Sequence, residues 1–233
     1  MNNVITLDGP TSSGKTSVGY LFSKKIGFHY IDSGAIYRAG SLAALKHGTL
    51  IDDEDALAKV FSEIKLEFKE IDGKQHTYLN DEDISDILHN PEVTAVVPTI
   101  AAFLKVRDEA TKIKRALSEK MNMVMAGRDI GTIIFPNAKL KFYLTADIQI
   151  RAQRRLVQLK EKVPGITYEE VLEQMIERDK ADMIRKVSPL RIPENAVIID
   201  TSTRTTDQTV VRMLEEYKKI YKLSLRGRSL ADF

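Results

Sequence analysis

The chain has 233 residues, enough for one sizeable core with an inserted lobe, and its 43% hydrophobic and 29% charged content is that of a globular enzyme. A formal net charge of +2, from 35 basic and 33 acidic residues, lacks the basic excess that nucleic-acid binding requires. Cysteine is absent, which excludes disulfides, thiolate metal sites and a catalytic thiol, and agrees with an expected cytoplasmic setting.

The opening "MNNVITLDGP" carries no basic n-region and only a short apolar run, so no secretory signal is expected. No stretch approaches the ~18 apolar residues of a membrane span, and no membrane association is predicted. "NVITLD" reads as a first strand running straight into "GPTSSGKTS". A helix is predicted through "SVGYLFSKKIG", with Gly27 at its end. "FHYID" predicts a second strand, and "GAIYRAGSLAALKHG" a helix closed by Gly48. Residues 64–80 break this rhythm: two alternating runs around Asp72-Gly73 predict a hairpin, and hence an insert. From Pro91 to Ser118 one long amphipathic helix is expected, bent near Pro98.

"NMVMAG" and "LKFYLTA" are compact apolar runs suited to buried parallel strands. An arginine-rich helix is predicted between Asp147 and Lys160, then a loop at "VPGIT", then a helix carrying "ERDKADMIR". "AVIID" supplies a last strand and "TDQTVVRMLEEYKKIY" a last helix. This alternation predicts an α/β fold, a parallel sheet flanked by helices on both faces. His29, His47, His76 and His89 lie far apart without metal-ligand spacing, and the basic stretch "KKIYKLSLRGR" is expected to be solvated.

Gly9-Pro10-Thr11-Ser12-Ser13-Gly14-Lys15-Thr16 fits G-x-x-x-x-G-K-[ST] in full, between a predicted strand and a predicted helix. Glycines let backbone N–H groups close around phosphate oxygens, and the helix N-terminus adds its positive dipole end. Lys15 is placed to reach the β- and γ-phosphates, and the Thr16 hydroxyl to ligate Mg²⁺. Gly9, Pro10, Thr11, Ser12, Ser13, Gly14, Lys15, Thr16 and Ser17 are therefore the candidate nucleoside triphosphate site of a P-loop protein.

Arginines mark the other half of the chemistry. "DSGAIYR" offers Ser33 and Arg38, "KVRDEA" offers Arg107, and "AGRDIGT" places Arg128 and Asp129 directly after a predicted strand. In "ERDKADMIR", helical spacing puts Arg178, Asp182 and Arg185 on one face. Arginine's planar fork suits phosphate, so several on separate elements suggest a second phosphate beside the first. A monophosphate acceptor is already anionic near neutrality, with a second pKa of about 6, and needs no strong base. An alcohol acceptor would use a carboxylate such as Asp129 and remains open on these residues alone. Arg151, Arg154 and Arg155 share a helical face that suits a lid closing on the transferring group. A nucleotide switch would carry N-K-x-D, which is absent.

"GPTSSGKTS", "DSGAIYR", "GRDIGT", "RAQRR" and "ERDKAD…R", in this order, resemble the bacterial-type cytidylate kinases over nearly the whole chain. The resemblance implies transfer of the γ-phosphoryl of ATP to CMP or dCMP with Mg²⁺, a monomer, and small-molecule partners only. It implies an adenylate-kinase-like core (about 1–36, 119–150 and 167–233), a monophosphate-binding lobe (about 37–118) and a lid (about 151–166). By matching position, it also implies that Arg38, Arg128 and Arg185 hold the acceptor phosphate, with Lys15, Arg128, Arg154 and Arg185 as catalytic residues. Arg107 and Asp129 would read the cytosine edge, Arg178 and Asp182 would contact the sugar, and Ser33 would sit near the pyrimidine. Pro98 stands where the family often has a serine touching the base, so discrimination of cytosine is expected to rest on Asp129 and Arg107.

Overall fold

The computed structural model describes residues 3–71, 74–161 and 163–221. The first half runs β1 (Val4–Asp8), α1 (Lys15–Ile26), β2 (His29–Asp32), α2 (Ser33–Lys46), α3 (Glu54–Glu63), β3 (Leu66–Ile71), β4 (Lys74–Leu79) and β5 (Glu82–Asp83). It continues through α4 (Pro91–Ile100), α5 (Leu104–Lys120), β6 (Met123–Gly127), a π-helical turn (Ile130–Ile134), β7 (Leu140–Thr145), α6 (Ile148–Leu159), α7 (Tyr168–Ile184), β8 (Val197–Asp200) and α8 (Thr206–Tyr221). These residues group into two units, one holding 31–121, the other 3–30 together with 122 onward.

The larger unit is built around β1. The sheet order is β2-β6-β1-β7-β8, and β1 pairs in parallel with β6 and β7, as β7 does with β8. Strand order therefore reverses at β1, whose carboxyl end leads into the glycine-rich loop, the place where open α/β sheets bind ligands. Ile5 and Leu7 of β1, Val124 of β6 and Phe142 of β7 form the core with Val18 and Phe22 of α1 and Met213 of α8. Phe22 meets the Phe142 ring edge-on at 5.7 Å. A satellite cluster of Ala152, Val171 and Met175 joins α6 to α7. The α7 N-terminus carries a complete capping box, with Thr167 and Glu170 satisfying each other's backbone N–H.

In the other unit, β3 and β4 pair antiparallel from Leu66↔Leu79 to Ile71↔Lys74, which bears out the hairpin. Its Asp72-Gly73 turn lies outside the described residues. The edge strand β5, two residues long, was not anticipated. Nor was α3, capped by the Asp53 side chain on the Ala56 N–H, with Leu57, Val60 and Phe61 buried. The acid-rich "DDEDALAKVFSE" holds both signals, an N-cap and apolar i, i+3, i+4 spacing.

One expectation needs correction. The single helix over Pro91–Ser118 is two helices, α4 and α5, broken at residues 101–103 rather than at Pro98. Pro98 is accommodated inside α4, and the chain instead tightens through Ala102 N–H to Thr99 O and Phe103 N–H to Ile100 O before restarting. Arg185, expected on one helical face with Asp182, is the residue just after α7; its N–H still closes the last turn on Ala181 O, and its Nη1 lies 3.4 Å from Asp182 Oδ1.

Candidate active site

The loop after β1 has the backbone that phosphate binding demands. Gly9 adopts φ 148°, and a Cβ there would collide with the Leu144 carbonyl, so only glycine fits. Ser12 and Gly14 also have positive φ, at 59° and 93°, which turns the chain into α1. Lys15 Nζ donates to Gly9 O at 2.8 Å and Pro10 O at 2.6 Å, folding along its own loop. Buried Ser13 donates to Pro10 O, and Thr201 Oγ1 lies 3.0 Å from Ser13 O, bracing the loop from the end of β8.

Asp8 closes β1 with its carboxylate fully buried, accepting the N–H of Ile130 at 2.9 Å and of Gly131 at 2.7 Å. Burial pushes this carboxyl up from 3.8 to about 6, Asp129 pushes the same way, and the two amides and Lys15 oppose the rise. Asp8 thus ties the loop-bearing strand to the segment that follows β6. Asp129 itself is buried, and its carbonyl accepts from Ile133 and Ile134 in the π-helical turn.

That segment also presents Arg128. Its Nε donates to Asp182 Oδ2 at 2.9 Å and its Nη2 to Thr11 Oγ1 at 2.6 Å. Asp182 Oδ1 takes Arg185 Nη1 at 3.4 Å, and Arg185 Nε donates to Ser188 O at 2.6 Å. The carboxylate is thus held between Arg128 and Arg185, the second of which helical spacing had already set beside it. Arg178 is exposed on α7.

Of the α6 arginines, Arg151 is buried and pairs with Asp179 of α7 at 2.7 Å. It also donates from Nε to Ala146 O at 2.9 Å and from Nη1 to Thr11 O at 3.3 Å. Arg154 donates to Thr201 Oγ1 at 3.1 Å and Thr201 O at 2.6 Å. Arg155 Nη1 donates along its own helix, to Gln158 at 3.3 Å.

Within the smaller unit, Asp32 caps α2 by accepting the Gly34 N–H at 3.0 Å and also takes Arg38 Nη2 at 2.6 Å. Arg38 Nε is buried with no hydrogen-bond partner among the described residues, which leaves a donor for a ligand. Ser33 is buried at the start of α2. Arg107, buried on α5, donates to Ala101 O at 2.9 Å and lies 5.6 Å from the Tyr37 ring centre. Lys114, fully buried two turns along the same face of α5, sits 4.6 Å over the same ring and donates to the Tyr37 hydroxyl at 3.2 Å. Pro98 and Thr99 are exposed on α4.

Among the described residues no group of three or more Asp, Glu, His or Cys side chains could cage a metal. The first turn of α1 offers two exposed hydroxyls, Thr16 and Ser17, and Ser17 is turned back to Gly14 O at 3.2 Å. That donor set suits a Mg²⁺ ion already ligated by phosphate oxygens, which takes few protein ligands.

Sequence reasoning missed Asp8, Asp32, Tyr37, Lys114, Asp179 and Thr201 as partners of the candidate residues. Asp8 and Asp32 had a readable signal, each being a carboxylate at the end of an apolar strand. The others act through contacts far apart in the chain.

Residues 5–219 match the family model described as cytidylate kinase. The chain is 40% identical over 215 residues to the cytidylate kinase of Caldanaerobacter subterraneus subsp. tengcongensis, covering 92% of this chain and 94% of that one. It is 39% identical over 220 residues to that of Cupriavidus pinatubonensis, covering 94% and 98%. Against that of Protochlamydia amoebophila it is 37% identical over 223 residues, covering 94% and 97%.

Proposed function

The chain belongs to the cytidylate kinase family, and from that premise we propose how its residues divide the work. The reaction is ATP-dependent phosphorylation of CMP or dCMP, giving CDP or dCDP and ADP. A bond forms between an acceptor phosphate oxygen and the γ-phosphorus, and the bond from that phosphorus to the β–γ bridging oxygen breaks. Because the acceptor oxygen is already ionised near neutrality, the protein's task is positioning and charge stabilisation.

Gly9 to Ser17 hold the triphosphate, with Lys15 turning from its loop carbonyls to the β- and γ-phosphates. Thr16 would hold the Mg²⁺ that accompanies ATP, which when bound would supply charge neutralisation on the phosphate oxygens. Arg38, Arg128 and Arg185 hold the acceptor phosphate, and Arg38 brings the unpartnered buried Nε. Arg154 approaches the transferring group when residues 151–166 close as a lid. Arg107 and Asp129 read the base, with the carboxylate accepting from the exocyclic amine that uracil lacks. Ser33 lies beside the base, and Arg178 and Asp182 contact the sugar. In this scheme residues 37–118 form the monophosphate-binding lobe, and the enzyme works as a cytoplasmic monomer without nucleic acid.

One observation carries the reading: Arg128 is tied at once to Thr11 of the triphosphate loop and to Asp182 of α7. An arginine shared in this way is suited to bridge donor and acceptor phosphates. The test is ADP release from Mg·ATP with CMP, dCMP, UMP or AMP supplied separately. Fast turnover of CMP and dCMP, weak turnover of UMP and negligible turnover of AMP are expected. Equal use of CMP and UMP would remove the roles given to Asp129 and Arg107. Release indifferent to every monophosphate would overturn the scheme.

A further inference from the structure

Arg128 carries five N–H donors in a fixed plane, and Nε with one hydrogen of Nη2 lie along a single edge of it. That edge is consumed by Asp182 Oδ2 at 2.9 Å and Thr11 Oγ1 at 2.6 Å. Nη1 donates to no described residue, so the adjoining edge, Nη1 with the second hydrogen of Nη2, keeps paired donors that match two phosphate oxygens. Two anchors on one edge also fix the plane's orientation, which a single ion pair would leave free to rotate. We propose that the Thr11 hydroxyl is a positioning residue for the acceptor side: it aims Arg128 at the acceptor phosphate, apart from the service its backbone gives to ATP.

The two services of Thr11 are held by different groups. Its carbonyl is fixed by Arg151 Nη1 at 3.3 Å, and Arg151 is itself locked by Asp179 and Ala146 O. The loop therefore keeps its backbone whether or not residue 11 bears a hydroxyl. The hydroxyl points instead to Arg128, 117 positions away in the chain. Asp8 completes the arrangement by holding the Ile130 and Gly131 amides, so the arginine's backbone is anchored to the same strand and loop. Residues 8–11 thereby grip the 128–131 segment at both backbone and side chain.

This inference rests on the proposed role of Arg128 in holding the CMP phosphate. Thr11→Val keeps the shape and removes the hydroxyl; Thr11→Ser restores it. Steady-state kinetics of the full chain should show kcat/KM for CMP falling about tenfold in Thr11→Val, the scale of a lost hydrogen bond to a charged group. KM for ATP should stay within about twofold, and Thr11→Ser should recover most of the loss. In a double-mutant cycle with Arg128→Lys, Thr11→Val should add little further loss, because its target has gone. A loss that appears in KM for ATP while CMP is untouched, or losses that multiply in the cycle, would overturn the inference. So would a Thr11→Val enzyme equal to the wild type. A wild-type protein that does not phosphorylate CMP would instead refute the proposed function, which separates the two failures.

Discussion

Asp8→Asn isolates the energetic consequence of a buried carboxylate at the root of the phosphate loop. In the unfolded chain this group titrates near 3.8, and in the fold burial raises it to about 6. Between these values the native state holds a proton that the unfolded state has released, so stability falls as pH rises through the window. The gap, at about 1.36 kcal/mol per pH unit, amounts to about 3 kcal/mol, fully present below pH 3.8 and lost above about 6. Over the practical range from about pH 4.5 to 7, about 2 kcal/mol of it should be visible. Asparagine has no such titration, though it also loses one of two amide acceptors, which costs about 1–3 kcal/mol at every pH. The stability of wild type relative to Asp8→Asn should therefore drop by about 2 kcal/mol across that range, as read by urea denaturation at a series of pH values. Other titrating groups are common to both proteins and cancel in the difference. Parallel stability curves would refute the reasoning and mean that the two amides fully compensate burial.

Gly40→Ala should destabilise the smaller unit, because the added Cβ would fall inside van der Waals contact of the fully buried Phe61 ring. Overpacking of about 1–3 kcal/mol outweighs a helix-propensity gain of about 1 kcal/mol, so thermal unfolding should shift down by several degrees, and Phe61→Leu should relieve part of it. A neutral or raised melting temperature would show that α2 and α3 separate freely. Asp179→Ala strands Arg151 in a site where the two side chains are only 7% and 12% exposed. It should cost about 3–5 kcal/mol in denaturant unfolding and weaken ATP binding through Thr11, whereas a change under about 1 kcal/mol would mean that Arg151 escapes to solvent.

Much of this protein is legible in local sequence. The glycine-rich loop declares itself because Gly9 and Gly14 must adopt backbone angles that other residues avoid, and because Lys15 and Thr16 follow at fixed offsets. The strands of the central sheet and the helices beside them follow from the length and periodicity of apolar runs. The boundary at residues 101–103 was not legible, since the visible helix breaker, Pro98, is tolerated while an unremarkable "AAF" turns the chain. The arginine residues of the site could be named, but not the groups that hold them. Helical spacing paired Asp182 with its neighbours on α7, whereas its strong partner, Arg128, lies 54 positions away. The reason is register. The parallel pairing that sets Asp8 opposite Gly127 makes residues 128–131 emerge beside the start of the phosphate loop. From there the Asp8 carboxylate and the Thr11 hydroxyl capture the Gly131 amide and Arg128, 123 and 117 positions along the chain. Composition and spacing determined which chemistry this chain carries, and only the packed sheet decided which donor meets which acceptor, because strand register depends on partners that no local stretch contains.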